Sequence, residues 1–326
     1  MTKHFLTLAD FSKKEIMSFL KRAAELKDSS KAGERVTPLS GKILGLLFEK
    51  PSLRTRVTFE VGMRQLGGDS LYMSAMDVQL GVRESVSDVA KNFERYLDGI
   101  VLRTFRHEVV EEVARVSSIP VINGLTDLLH PCQILSDMLT ILEKKERLEG
   151  IRIAYVGDGN NVANSWLLGA SIMGIHLTVA CPRGYEPDAG IVRKARKQAK
   201  TGGAKILITH DPKDAVKAAE IIYTDVWTSM GKERESVRRR VNFQGYQVNR
   251  ELVSLAREDV LVMHCLPAHR GEEITDEVLD GPHSIVFDQA ENRLHAQKAV
   301  LEALLGEDGR GERAKTKGKQ TPRSNE

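Results

Sequence analysis

An alternation of short apolar runs with longer amphipathic stretches constrains the fold of this chain more than any other feature of its sequence. The first amphipathic stretch, residues 12–27, places Ile16, Phe19, Leu20 and Leu26 on one side of a predicted helix. Later apolar runs predict strands at residues 42–48, 70–73, 99–103, 119–122, 151–156, 176–180, 205–208, 220–224, 261–264 and 284–287. The stretches between them predict helices at residues 52–66, 84–96, 108–117, 133–146, 161–173, 188–200, 213–219 and 292–305.

Strands that alternate with helices in this way favour parallel sheets covered by helices. The long helix at 133–146 separates two such runs, so we predict an α/β protein with two domains, each a parallel sheet covered by helices. The predicted domains are residues 1–146 and 147–306, with the last helix packing back towards the first domain and the active site in the interdomain cleft. Residues 307–326 are polar and without periodicity, which predicts a disordered tail.

Composition and charge exclude several classes of protein. Of 326 residues, 48 are basic and 45 acidic, for a net charge of +3, and 5% are aromatic. Without a basic stripe interleaved with aromatic residues, we expect no nucleic-acid partner. Apolar runs stay below the ~18 residues of a membrane-spanning helix, so we expect no membrane contact. The N-terminus has no signal-peptide core, and Cys132, Cys181 and Cys265 are too scattered for a disulfide framework, so we expect a cytoplasmic protein. The three cysteines also lack the spacing of a zinc site, so we expect no metal.

The segment FEKPSLRTRVTFE, residues 48–60, joins a predicted strand to a predicted helix. An ordinary helix start has one capping serine and then prefers acidic residues, because the helix dipole is positive at this end. Arg54 and Arg56 contradict that preference beside Ser52 and Thr55. We therefore predict an anion, most simply a phosphate, at this helix start with Arg54 as its charge partner. The alternative is a helix cap flanked by surface arginines.

Polar residues also follow two further strands of the first predicted sheet. Arg103 ends one strand, His130 precedes Pro131 after the next, and Gln133 opens the following helix. Because ligands bind at the carboxyl ends of parallel strands, we expect these side chains at the same sheet edge. Each residue alone is more often structural or solvated, but together they extend the predicted anion site.

The sequence GDGNN, after the strand at 151–156, resembles a dinucleotide-binding glycine turn but departs from that pattern twice. A third glycine is needed where Val162 stands, and an acidic residue about 20 positions on where Cys181 stands. Asn160 and Asn161 instead offer amide groups to the cleft. The alternative is an asparagine-rich tight turn.

The remaining strand ends of the second predicted domain offer groups suited to an amino acid. Asp225, Ser229 and the backbone of Met230 can bind an amino group and a carboxylate. Cys265 follows another strand, where a small core residue is the alternative interpretation. Arg293 is predicted at the start of the last helix, again a cation where the dipole favours an anion. An amino-acid site is therefore predicted opposite the anion site.

Six segments together resemble one known family. SLRTR, HPCQ, GDGNN, DVWTSMG, HCLPAHRGEE and AENR are similar to motifs of the aspartate/ornithine carbamoyltransferases, over roughly residues 4–305. DVWTSMG and HCLP resemble the branch of this family that acts on ornithine. The resemblance implies transfer of the carbamoyl group of carbamoyl phosphate to the δ-amine of L-ornithine, giving L-citrulline and phosphate, without a cofactor.

The resemblance also implies roles for individual residues. Carbamoyl phosphate would be bound by Ser52, Leu53, Arg54, Thr55, Arg56, Gln79, Arg103, His130, Gln133 and Arg293. Ornithine would be bound by Asn161, Asp225, Ser229, Met230, Cys265 and Leu266. Leu53 departs from the family, which usually has threonine there, and offers its backbone N–H without a hydroxyl. Gln79, in VQLGVRES, resembles a residue that enters a neighbouring subunit's site, which implies a homotrimer or an assembly of trimers.

The implied reaction is attack of the neutral δ-amine on the carbonyl carbon of carbamoyl phosphate. The residues implied in catalysis are Arg103, His130, Cys265 and Asp225: the first two, with Thr55, would donate hydrogen bonds to the carbonyl oxygen. Cys265 and Asp225 would orient the uncharged amine. Three alternatives stay open: a carbamoyltransferase for putrescine or an acylated ornithine, a non-catalytic homologue, and a dinucleotide-dependent oxidoreductase.

Overall fold

The computed structural model describes residues 2–78 and 84–306, so Gln79 and the predicted tail at 307–326 lie outside the described residues. The strands are β1 (Ile43–Phe48), β2 (Asp69–Ser74), β3 (Gly99–Arg103), β4 (Val121–Leu125), β5 (Arg152–Val156), β6 (His176–Ala180), β7 (Ile206–Thr209), β8 (Ile221–Thr224) and β9 (Leu261–His264). The helices are α1 (Lys13–Lys31), α2 (Leu53–Gln65), α3 (Ala75–Val78), α4 (Val86–Phe93), α5 (His107–Val116), α6 (Pro131–Lys145), α7 (Asn161–Met173), α8 (Ala189–Gly202), α9 (Pro212–Val216), α10 (Ser236–Asn242), α11 (Arg250–Ser254), α12 (Asp276–Leu279) and α13 (Val286–Leu305).

The described strands form two separate parallel sheets, which confirms the predicted fold class. The first sheet has the order β2-β1-β3-β4, and the second has the order β7-β6-β5-β8-β9. Every pair of neighbouring strands runs parallel. In each sheet the strand order reverses once, between β1 and β3 in the first and between β5 and β8 in the second. Ligands bind at such reversal points in open α/β sheets.

Two helices connect the sheets through buried contacts. Helix α6 follows β4 and is buried at every position from Pro131 to Ile141, so it lies inside the molecule rather than on its surface. Helix α13 packs against α1, α2 and α6, and also against β9. Side chains of both helices can therefore face the space between the two sheets. Within the described residues, the helices are all too short or too polar to span a bilayer.

The predicted strand at residues 284–287 is wrong. Ser284 forms a single isolated bridge with Val262, and a helix begins two residues later at Val286. The run Ile285–Phe287 has the β-branched and aromatic residues of a strand, but Val286 and Phe287 form the first turn of α13, in which Val286 is buried and Phe287 is 70% exposed. Arg293 therefore lies in the interior of α13 rather than at its start, so the argument from the helix dipole does not apply to it.

Smaller differences concern element ends. Helix α4 covers eight residues rather than the thirteen predicted at 84–96. Helix α6 begins at Pro131, because a proline at the first helical position needs no hydrogen-bond acceptor and has a helical φ already. Gln133 thus lies in the first turn of α6 rather than opening it.

Candidate active site

A cavity of about 500 Å³ opens at the carboxyl ends of both sheets, where both reversals of strand order face each other. Ser52 follows β1 and Arg103 ends β3, while Asn160 follows β5 and Asp225 follows β8. All four line the cavity. The topology therefore brings the polar loops of the two sheets to one place.

The start of α2 forms one wall of this cavity. Ser52 is the N-cap, and its hydroxyl oxygen accepts the backbone N–H of Thr55 at 3.3 Å. The Thr55 hydroxyl accepts a hydrogen bond from the Arg293 guanidinium at 2.6 Å, which leaves its own proton free to be donated. Leu53 is 76% exposed at the cavity mouth and contributes its backbone rather than packing. The start of α2 therefore has the serine cap of an ordinary helix, and it also faces the cavity.

Three arginines surround the same wall. In Arg54, Arg103 and Arg293 the Nε atom is buried and has no hydrogen-bond partner among the described residues. Burial, together with the charges of Arg293 and Arg54, lowers the pKa of Arg103 to about 9. Burial and Arg54 likewise lower the pKa of Arg293. Burying three cations with unpaired donors costs free energy. An anion bound between them would pair with these donors and offset that cost.

His130 and Gln133 come from the turn that starts α6. Burial, followed by the charges of Arg293 and Arg103, lowers the pKa of His130 well below its usual range, so the imidazole is neutral. Its Nδ1 has no partner among the described residues. Gln133 donates from Nε2 to Asp137 at 2.8 Å, and its Oε1 is buried without a partner. Gln133 Oε1 is therefore a buried acceptor without a partner on a wall whose three arginines can only donate.

The opposite wall has a carboxylate beside a thiol. Asp225 accepts hydrogen bonds from the Cys265 thiol at 2.9 Å, from Asn160 Nδ2 at 2.7 Å and from the backbone N–H of Val226 at 2.8 Å. Burial, and then the Asp225 charge, raises the pKa of Cys265 well above its usual range. The thiol is therefore protonated and is a poor nucleophile.

The Asn160 side chain also decides what the turn after β5 can bind. Its Oδ1 accepts the backbone N–H groups of Val162 and Ala163, at 2.9 and 3.2 Å. These amides are the ones that a pyrophosphate would need at a dinucleotide-binding helix start. With the amides capped internally, the turn is better suited to hold Asp225 than to hold a nucleotide.

His264 fixes the loop that carries Cys265 and Leu266. Its Nδ1 accepts the backbone N–H of Leu266 at 2.8 Å, so the proton is on Nε2 and is donated to Glu273 at 3.0 Å. Leu266 has φ of 56°, which is rare for a non-glycine residue and typical of functional loops. Asp225, His264 and Cys265 could place ligand atoms within 4.8 Å of one another, but both ring nitrogens of His264 are already hydrogen-bonded. A metal there would have to displace one of these bonds.

Comparison with known proteins decides the family. Residues 3–143 match the model described as the carbamoyl-P binding domain of aspartate/ornithine carbamoyltransferase, and residues 149–304 match its Asp/Orn binding domain. The chain belongs to the aspartate/ornithine carbamoyltransferase family. The resemblance seen in the sequence motifs is confirmed.

Relatives within the aspartate/ornithine carbamoyltransferase family are similar over nearly their whole length. An ornithine carbamoyltransferase of Anoxybacillus flavithermus is 54% identical over 93% of this chain and 96% of its own. The solved ornithine carbamoyltransferase of Pyrococcus furiosus is 49% identical, with a TM-score of 0.91 over 93% of this chain and 97% of its own. The anabolic ornithine carbamoyltransferase of Campylobacter jejuni is 41% identical, with a TM-score of 0.88 over 93% and 99% of the two chains.

The cavity contains most of the residues that the sequence singled out. The predicted site residues that line it are Ser52, Leu53, Arg54, Thr55, Arg103, His130, Gln133, Asn161, Asp225, Ser229, Met230, Cys265, Leu266 and Arg293. Asn161 lines it while donating from Nδ2 to the backbone carbonyl of Thr126 at 2.6 Å. Gln79 lies outside the described residues.

Arg56 is the described site residue that does not line the cavity. Its Nε donates to Glu60 at 2.8 Å, and its guanidinium lies 3.7 Å from the centre of the Tyr72 ring. Residues 54 and 56 are two apart on a helix and point in different directions. The arginines that line the cavity are therefore Arg54, Arg103 and Arg293.

Sequence reasoning missed two lysines in the cavity lining. Lys50 is 3% exposed, forms an ion pair with Asp127, and lies 4.5 Å from the centre of the Phe105 ring. Lys232 lines the cavity from the loop that follows Met230. The position of Lys50, two residues beyond β1, is a signal that could have identified it.

Gly159 allows the turn after β5 to form. A Cβ atom there would lie 2.2 Å from the backbone nitrogen of Pro187 and 2.4 Å from the carbonyl carbon of Glu186. We expect Gly159→Ala to lower the free energy of unfolding by about 1–3 kcal/mol, because two backbone segments must separate. Urea denaturation measures this. Gly190→Ala, in the exposed first turn of α8, is the control, because its Cβ would lie 3.0 Å from a side-chain atom, Asp188 Oδ1, and would contact no backbone; an equal loss there would contradict the backbone clash as the cause.

Proposed function

We propose that the protein transfers the carbamoyl group of carbamoyl phosphate to the δ-amine of L-ornithine, giving L-citrulline and phosphate. One observation supports this most directly. A single cavity has three arginines with unpaired buried donors on one wall and the Asp225–Cys265 pair on the other. The first wall suits a phosphate and a developing oxyanion, and the second suits an amine. The ornithine carbamoyltransferases described above have these two substrates in common.

The carbamoyl phosphate is bound by the start of α2 and the arginine wall. Arg54 and the helix N-terminus contact the phosphate, joined by Ser52 and by the backbone N–H of Leu53. The carbonyl oxygen accepts hydrogen bonds from Arg103, His130 and Thr55, which stabilise the charge that develops there during attack. The amino group of the carbamoyl needs an acceptor, and Gln133 Oε1 supplies one.

Arg293 contributes through Thr55. Its guanidinium donates to the Thr55 hydroxyl oxygen, so the hydroxyl proton is directed away from Arg293 and towards the ligand. The unpaired Nε of Arg293 adds a second donor to the carbamoyl phosphate. Arg56, by its geometry, contributes to this site less directly than Arg54.

L-Ornithine is bound by the opposite wall. Asn161, Ser229, the backbone of Met230, and Asp225 contact its α-amino and α-carboxylate groups. Lys232 lies near this end of the cavity and adds a cation for the carboxylate. The side chain extends towards Cys265 and the backbone of Leu266, where the δ-amine meets the carbonyl carbon. Positioning two reactants in a closed cavity supplies much of the rate enhancement.

The δ-amine must lose a proton before it attacks. A free alkylamine has a pKa of about 10, so at neutral pH it arrives as an ammonium ion. The arginine wall disfavours this cation, so its proton is lost to solvent, and Asp225 and the carbonyl of Leu266 then orient the uncharged amine. The neutral Cys265 thiol acts as a hydrogen-bonding partner of Asp225 and forms no covalent intermediate. The lone pair of the amine forms the new C–N bond as the C–O bond to phosphate breaks, and the proton left on the nitrogen goes to the departing phosphate.

A substrate panel tests this proposal. Purified protein is given carbamoyl phosphate with ornithine, putrescine, acetylornithine or aspartate, and the carbamoylated product is measured. We expect turnover with ornithine alone. Turnover with putrescine or acetylornithine would overturn the assignment of the ornithine wall, and no turnover with any amine would indicate a non-catalytic homologue.

We further propose that the protein is a homotrimer, or an assembly of trimers, in which Gln79 completes a neighbouring subunit's site. An apolar surface beside the cavity supports this: Leu53, Val57, Leu71 and Met76 are all exposed, and Met76 is 80% exposed. They lie on α2, on the edge strand β2 and on α3, immediately before Gln79. An apolar edge of this kind is a typical subunit interface.

Mixed trimers test the shared site. Gln79→Ala and Arg54→Gly chains are each expected to be inactive. After denaturation and refolding together in equal amounts, random assembly places an intact Arg54 beside an intact Gln79 of the neighbour in about one site in four. We expect about a quarter of wild-type activity. An active Gln79→Ala parent would show that Gln79 has no role, and mixed trimers that stay at the background of two inactive parents would show that Gln79 acts within its own chain.

The same proposal extends to the roles of the two domains and to the cellular compartment. Residues 1–146 would form the carbamoyl phosphate unit and residues 147–306 the ornithine unit, in keeping with the two family matches. The three cysteines are free thiols, which suits a reducing, cytoplasmic environment.

A further inference from the structure

Asp137 is a fully buried carboxylate that the proposed mechanism does not use. It lies on α6, one turn after Gln133, and is 0% exposed. Three donors surround it: Gln133 Nε2 at 2.8 Å, Gln289 Nε2 at 2.8 Å and the Tyr223 hydroxyl at 2.9 Å. Burial raises the pKa of Asp137 to about 7, against the opposite effect of these three hydrogen bonds. Burial of a carboxyl group without a direct cationic partner costs free energy, so the geometry of the hydrogen bonds around Asp137 needs a physical reason.

The orientations of the Gln289 and Gln133 side-chain amides both follow from one backbone group, the N–H of His264. The N–H of His264 can only donate, and it donates to Gln289 Oε1 at 3.0 Å. Gln289 must therefore present Nε2 to Asp137 Oδ1, which makes that oxygen an acceptor. Gln133 faces the same oxygen and must also present Nε2.

The consequence lies at the other end of the Gln133 amide. With Nε2 held by Asp137, the carbonyl Oε1 points away from Asp137, where it is buried and without a partner among the described residues. Gln133 lines the cavity beside Arg54, Arg103 and Arg293, which can only donate. A reversed amide would add another donor to that wall and leave the amino group of a carbamoyl without this acceptor.

We propose that Asp137 is a positioning residue that fixes the amide of Gln133 with its carbonyl towards the cavity, and thereby selects carbamoyl phosphate over acyl phosphates that lack an amino group. This inference rests on the proposed function. Asp137 does not touch the substrate. It acts through Gln133, and its own place is fixed by Tyr223 from β8 and by Gln289 from α13.

Acetyl phosphate is the probe of this selectivity. It matches carbamoyl phosphate in size and charge but has a methyl group in place of the amino group. Bound to the wild-type protein, its methyl group would face Gln133 Oε1 and leave that buried oxygen unpaired. If the amide were free to turn, Oε1 would have no fixed position, and the two ligands would differ less.

The test compares the affinities of the two ligands in wild-type protein and in Asp137→Leu. Leucine has the same branching as aspartate but offers no acceptor. The affinity of each ligand is measured by competition with phosphonoacetate or inorganic phosphate, without ornithine. We expect the preference for carbamoyl phosphate over acetyl phosphate to fall about tenfold to a hundredfold, the effect of one or two lost hydrogen bonds. A ratio of affinities does not depend on the fraction of folded protein, so partial unfolding alone would not change it.

Two further variants separate positioning from general disruption. Thr140→Val removes the hydrogen bond from Asn292 to the Thr140 hydroxyl, which also joins α13 to α6 but lies one turn farther from the cavity. We expect it to keep the wild-type preference. Asp137→Asn retains an acceptor for Gln133 and a donor for the Tyr223 oxygen, and we expect it to keep the preference within about threefold. An unchanged preference in Asp137→Leu, or an equal loss in Asp137→Asn, would overturn the inference.

A measurement on the wild-type protein keeps the inference testable if Asp137→Leu does not fold. Neutron diffraction from crystals in heavy water locates the two deuterons on the Gln133 amide. We expect one of them directed at Asp137 and none directed at the cavity; the reverse would overturn the inference. Failure of the proposed function has a different signature, because wild-type protein would then make no citrulline from any substrate in the panel.

Discussion

Replacing Arg54 with glycine is expected to lower the rate of citrulline formation by about three orders of magnitude while the fold is retained. Arg54 has a buried Nε with no partner among the described residues, so its guanidinium is held for a ligand rather than for the protein. Removing a single preorganised donor typically costs about 10²–10³ in rate, and a charged donor to a phosphate is stronger than a neutral one. The measurement is steady-state kinetics at saturating ornithine, with carbamoyl phosphate varied.

The matched control for this variant lies on the same helix. Arg64→Gly removes the same charge from the exposed last turn of α2, away from the cavity lining. Both variants place a glycine in α2, so a similar loss of stability is expected, about 1 kcal/mol in each. Near-normal activity of Arg54→Gly, or an equal fall in Arg64→Gly, would contradict the phosphate role of Arg54.

Much of the site was predictable because parallel sheets place their strand ends together. Arg103, Asp225 and Cys265 were each unremarkable as single residues. What connected them was their position directly after or at the end of a buried strand. That position is readable from the apolar pattern, and the parallel topology follows from the helices between the strands.

The direction of side chains was not predictable in the same way. Arg54 was predicted as the charge partner of the anion, but the resemblance also placed Arg56 in the site, and the sequence does not show which way either side chain points. The difference arises because Arg56 finds Glu60 one turn later on its own helix and Tyr72 on β2. Such contacts depend on how α2 lies against the sheet, which local sequence does not specify.

Asp137 illustrates a second limit of prediction from the sequence. It lies within a helix that reads as a largely apolar core element, and nothing in the local sequence distinguishes it from a surface carboxylate. Its partners, Tyr223 and Gln289, are 86 and 152 residues away in sequence. A hydrogen-bond network built from such distant residues becomes visible only when the chain is folded. The predicted strand at 284–287 failed for a related reason: local strand propensity does not show that Val286 begins α13 and is buried in the same hydrophobic cluster as Ile222 and Val262.

Asp225→Asn is expected to lower kcat/KM for ornithine by about 10²–10³ and to change the affinity for carbamoyl phosphate by less than about threefold. Among the described residues that line the cavity, the carboxylates are Asp127, Asp188 and Asp225. Asp127 is neutralised by Lys50, and Asp188 caps α8 by accepting the N–H of Ile191. Asp225 is thus the carboxylate available to an ornithine amine, and its loss removes a buried charge partner of a cation.

The change is small in shape but replaces one hydrogen bond with a contact between two donors. Asp225 receives donors from Asn160, Val226 and Cys265, and an asparagine can accept on only one of its two terminal atoms. Asn160 cannot turn over to compensate, because its own Oδ1 caps α7. A moderate loss of stability, about 1–3 kcal/mol, is therefore expected beside the kinetic effect.

Asp188→Asn separates these contributions. It makes the same chemical change in the same cavity, and asparagine caps a helix about as well as aspartate, so we expect both stability and ornithine kinetics close to wild type. The affinity for carbamoyl phosphate, measured without ornithine, reports whether the arginine wall is intact in both variants. If Asp225→Asn weakened both ligands equally, the carboxylate would be supporting the architecture of the whole cavity. If it weakened neither, the ornithine amines would be bound elsewhere. A loss confined to ornithine would identify Asp225 as the carboxylate that recognises the amine.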